Sequence, residues 1–180
     1  MELQELLKKK RNIFNHLLYE FQMYLETYLR LWNHIHEQNH DDILKNIILE
    51  SHAVHLRNLI EFFNRENNCI TTDTIFTGNL DMSYDDSRYK AKQVINKTID
   101  HLTKERYTWN QTEKDLTIQF GYLIHIMYQT IMASRIIKCV DMLLQEAHVK
   151  PELIEDLHNE KIQKQLKELA NLCDELREVK

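Results

Sequence analysis

The sequence predicts an all-α fold, an antiparallel helical bundle of four long helices plus a C-terminal amphipathic helix, on three observations. The 180 residues include only 2 Gly and 1 Pro, where average usage would supply roughly a dozen Gly and nine Pro. Sheets, barrels and phosphate-loop folds need those residues at their turns, which excludes them here. Apolar residues recur at three- and four-residue steps along nearly the whole chain, the period of an amphipathic helix. A composition of 43% apolar and 28% charged residues suits a chain long enough to close one core, with a helical extension at most.

The first helix is expected over residues 2 to 38, where Leu3, Leu6, Leu7, Ile13, Phe14, Leu17, Leu18, Phe21, Leu25, Tyr28, Leu29 and Trp32 keep the helical step. The run EQNHDD breaks it, and Asp41 or Asp42 caps a second helix over 42 to 66. That helix has two adjacent stripes, Leu44/Ile48/Ser51/His55/Leu59/Phe62 and Leu49/Ala53/Leu56/Ile60/Phe63. So wide an apolar arc predicts contact with more than one neighbour. Residues 67 to 84 carry no helical period and form an irregular loop whose Ile70, Ile75, Phe76 and Leu80 pack on the body. A third helix is expected over 85 to 107, with Ala91, Ile95, Ile99 and Leu102 inward, and a fourth, apolar on most faces, from Trp109-Asn110-Gln111 to about Ala147. Lys150-Pro151-Glu152 stops it and starts a last helix over 151 to 179, because Pro fits a first helical turn. In that helix Ile162, Leu169 and Leu176 repeat every seven residues, interleaved with Leu166 and Cys173. The chain thus divides into a bundle over 1–149 and a C-terminal helix over 150–180. The last helix packs on the bundle or on a partner subunit; the bundle is favoured because short isolated coiled coils are marginal.

A net charge of −5 argues against a protein that coats nucleic acid or anionic lipid. Cys69, Cys139 and Cys173 are an odd, dispersed set, read as reduced thiols. The start MELQELLKKKRN lacks the apolar stretch of a secretory signal. The most apolar segment, Phe120 to Met132, is shorter than the roughly 20 residues of a membrane span. The expectation is a cytoplasmic protein with no membrane partner.

No P-loop, GxSxG, HExxH or GxGxxG pattern is present. What draws attention is polar residues on apolar helices. His55 lies in the main stripe of the second helix, one turn after Ser51, and Glu50 and Arg57 share its flank. Arg106 extends the stripe of the third helix, His101 lies beside it, and His125 shares the buried azimuth of the fourth. Unpaired burial of such groups costs several kcal/mol, about 2–7 for a neutral polar group, so they pair with one another or face a cleft. For each histidine alone, the simplest reading is a core ring satisfied by a carbonyl or carboxylate.

The stretch Glu50-Ser51-His52-Ala53-Val54-His55-Leu56-Arg57-Asn58-Leu59-Ile60-Glu61-Phe62-Phe63, followed by His101-Leu102-Thr103-Lys104-Glu105-Arg106, resembles a group of small bacterial helical proteins with the same two motifs. These in turn are similar to HEPN domains, the helical bundles of toxin–antitoxin and phage-defence systems. The resemblance spans about residues 43 to 109. It implies a four- to five-helix bundle, a homodimer, and metal-independent RNA cleavage or RNA or nucleotide binding without a cofactor. It also implies that His acts as general acid/base and Arg stabilises phosphorane charge. In this chain the roles would fall to His55, Arg57, His101 and Arg106, with Glu50, Ser51 and Asn58 as binding residues. The family's R-x(4–6)-H motif is missing before His101, where Ile95-Asn96 stands. Two spacings of that kind, Arg11 to His16 and Arg30 to His36, occur in the first helix, as chance allows with eight Arg and ten His.

Seven Lys and Arg lie between Arg88 and Lys114 beside Tyr89, Tyr107 and Trp109. A patch that binds phosphates and stacks bases has this composition, and so has a solvated helix face. Tyr107 and Trp109 complete the candidate RNA-binding set. His34, His36, His40, Asp41 and Asp42 could seed a metal site with Glu50, His52 or His55, but they fall at a helix end where exposed polar residues are ordinary, and no metal ligand is assigned. Two further readings stand beside the RNA-directed one: a helical interaction or dimerisation protein bound to a cognate partner, and a bundle metalloprotein.

Overall fold

The computed structural model describes residues 3–36, 42–64, 71–78 and 131–178. Of these, 87% are helical and none lies in a strand, so the fold is all-α. The expected third helix, the first part of the fourth and the antiparallel order of four long helices fall largely on residues 79–130, outside the described residues.

Helix α1 spans Leu3–His36 and α2 spans Asp42–Asn64. Along α1, Phe14, Leu17, Leu18, Phe21, Tyr24, Leu25 and Leu31 are buried, the three- and four-residue step that faces one side of a helix inward. The wide arc expected of α2 is present: Ile48, His55, Leu59 and Phe62 are buried on one stripe, and Ala53, Leu56, Ile60 and Phe63 on the next. Leu44, expected on the inward stripe, is instead exposed. The two helices pack on each other, with Phe21 edge-on to Phe62 at 6.0 Å between ring centres.

The segment read as a loop without helical period contains one helical turn, α3, over Thr72–Ile75. Thr71 N–H donates to the Thr74 hydroxyl at 3.1 Å, which supports the turn's start. Ile75 and Phe76 are buried, so the segment does pack on the body. It is fastened at one place. Lys150 N–H donates to the Ile75 carbonyl at 2.9 Å and Thr77 N–H to the His148 carbonyl at 2.6 Å, around an isolated antiparallel bridge between Phe76 and Val149.

Helix α4, described over residues 131–144, buries Met132, Ala133, Ile136, Cys139, Val140, Met142 and Leu143. It ends three residues before the expected Ala147. Ala147 N–H reaches the Met142 carbonyl at 2.8 Å and Glu146 N–H the Leu143 carbonyl at 3.2 Å, with Glu146 at φ 53°. This is a Schellman termination in which Glu occupies the left-handed position that Gly normally takes.

The last helix is not continuous. A 3₁₀ turn, Pro151–Leu153, leads into α5, Ile154–Leu157, and the chain breaks before α6, Glu160–Glu178. The break has a local cause. Asn159 Oδ1 accepts the Lys161 N–H at 3.1 Å while its carbonyl accepts the first helical bond from Gln163 at 2.9 Å, so Asn159 caps α6. Helix α6 buries Ile162, Leu166, Leu169, Cys173 and Leu176 and packs along α1 of its own chain. Arg177 in its last turn holds both oxygens of Asp141 on α4, at 2.9 and 2.8 Å. All these pieces share one core, from Phe14 to Leu176. Among the described residues no helix is long and apolar enough to cross a membrane.

Candidate functional site

The seam between α1 and α2 contains the polar groups that the core must accommodate. Glu20 lies three residues after Leu17 and four before Tyr24, so helical geometry turns its carboxylate inward among buried residues, and it is 7% exposed. Its partner is His55, 8% exposed, whose Nδ1 lies 2.8 Å from Glu20 Oε2. Asn58, one turn further along α2, also hydrogen-bonds the Glu20 carboxylate. Burial alone would push the Glu20 carboxyl up. The hydrogen bonds from His55 and Asn58, with the nearby charges of His55 and His16, outweigh it and hold the group below the usual carboxylate range.

An ionised carboxylate can only accept, so His55 donates its Nδ1 proton to Glu20. In the neutral ring this leaves Nε2 as the atom with the free lone pair. Tyr19 stands edge-on to the ring, 5.7 Å between centres at 76°. The carboxylate thus fixes tautomer and orientation, the arrangement that suits an imidazole to proton transfer.

A cleft of about 230 Å³ opens beside this pair, lined by His16, Leu17, Glu20, Asn58, Leu59, Glu61 and Phe62. Its apolar wall comes from the buried stripes of both helices. Its polar lining comes from two residues of α1 and two of α2.

A second histidine is built differently. His52 is fully buried, and its Nδ1 lies 2.9 Å from the Thr27 hydroxyl. That hydroxyl also lies 2.7 Å from the Met23 carbonyl and 3.1 Å from that of Tyr24, back-bonding within α1. Its single proton goes to a carbonyl, so Nδ1–H of His52 is the donor to Thr27. The ring lies against Tyr24 at 4.5 Å and Tyr28 at 6.4 Å. His52 is a core group satisfied within the fold.

The structure brings Asn58 to the cleft lining and places His55 behind it, bonded to the lining residue Glu20, and neither of the other two α2 binding candidates joins them there. Glu50 is exposed and Ser51 half-buried, about two turns from the cleft residues. Arg57 is half-buried on α2. His101, Arg106, Tyr107 and Trp109 lie outside the described residues, as do His40, Asp41 and Cys69. Among the described residues no group of three or more His, Cys, Asp or Glu could hold a metal ion. Cys139 and Cys173 are buried free thiols, and burial pushes each up to about 12, which leaves almost no thiolate near neutral pH.

Sequence reasoning missed Glu20, His16 and Thr27. For Glu20 a signal existed, a carboxylate inside the Leu17–Phe21–Tyr24 face of α1. His16 is exposed; the sequence marked it only through the Arg11–His16 spacing, which chance accounts for, and the cleft lining is what places it at the site. No family model matches the chain, and no curated protein or solved structure matches it either.

Proposed function

We propose that this chain is a HEPN-like, four-helix antiparallel bundle protein of a bacterial defence or toxin–antitoxin type setting, and that it acts on RNA without a metal through the α1–α2 cleft. The observation that carries this reading is the Glu20–His55 pair at 2.8 Å beside that cleft. A histidine whose Nδ1 is held by an ionised carboxylate has Nε2 ready to take the proton of a ribose 2′-hydroxyl or return one to a leaving oxygen. Glu20 acts here as the positioning residue. Arg57, the cation the resemblance offers for developing phosphorane charge, lies two residues after His55, on a different face of α2, and does not line the cleft. His16 ends one of the two Arg–His spacings of α1 and lines the cleft, which supplies a second imidazole next to the carboxylate.

The test is cleavage of labelled single-stranded RNA and tRNA by the purified protein in EDTA, with His55→Gln and Glu20→Gln alongside and folding followed by circular dichroism. Loss of a general acid/base group costs typically 10²–10⁴-fold. The expected result is metal-free cleavage, reduced on that scale in folded His55→Gln and by less in Glu20→Gln. A folded wild type that cleaves neither substrate overturns the nuclease reading and leaves the helical interaction protein as the account of the chain.

A further inference from the structure

We draw no further inference here: the strongest candidate, the exposed apolar row Leu44, Ile47 and Val54 along α2, carries nothing because nothing in the structure shows what covers it.

Discussion

Glu20 and His55 depend on each other. The carboxylate is buried and ionised, and the imidazole and the Asn58 amide replace the water it has lost. Removing a partner from a buried charge costs more than the pair contributes. His55→Ala is therefore expected to lower stability by about 2–3 kcal/mol, and Glu20→Gln by about 1 kcal/mol, because a neutral amide needs less compensation. Denaturant melts of the two variants check the order. The same pair sets a pH dependence. The folded Glu20 carboxyl lies below its unfolded value, so its contribution is fully present above the unfolded carboxylate range and is lost as pH falls through the lower, folded value. Stability should therefore decline below about pH 5, and Glu20→Gln should flatten that decline in melts run across the acid range.

At the scale of the helices, the ends carry the information that the sequence left hidden. Helix α4 stops on Glu146 at φ 53°, a conformation costing about 1–2 kcal/mol for a residue with a side chain. Part of any gain from Gly is returned as unfolded-state entropy. Glu146→Gly is expected to raise stability by up to about 1 kcal/mol, despite losing the exposed contact of Glu146 with His158. Asn159→Ala removes the cap of α6 and should cost about 1 kcal/mol. Thermal melts of both variants settle the signs. Periodicity alone showed α1 and α2 nearly to their ends, because long apolar stripes dominate there. It missed the break at His158-Asn159, since the charged residues around the break resemble any solvated helix face and only the side-chain bond of Asn159 reveals the cap. It also ran α4 to Ala147, because a Glu in the left-handed position looks like one more helical residue.

Across the whole molecule, the all-α class was legible from the scarcity of Gly and Pro, while the site was only half legible. His55 and Asn58 were singled out on α2, but their partner Glu20 lies 35 residues away from His55 on α1. A pairing of that range depends on how two helices pack, and no spacing within one helix encodes it. The seven-residue stripe of α6 left its partner open, and the structure packs it on its own chain, with Leu166 and Leu169 fully buried. Leu166→Ala should therefore cost about 2–5 kcal/mol, read as a lower denaturant midpoint. The alkylation of Cys139 and Cys173 should accelerate in that variant, since these buried thiols react only as the core opens. The account as a whole rests on an ionised Glu20 that fixes the tautomer of His55. Nitrogen-15 NMR of the histidine rings near pH 7.5 tests this directly: the account predicts a His55 ring with its proton on Nδ1, bonded to Glu20, and a signal that shifts in Glu20→Gln. A His55 ring with no proton on Nδ1 and indifferent to Glu20→Gln would contradict it.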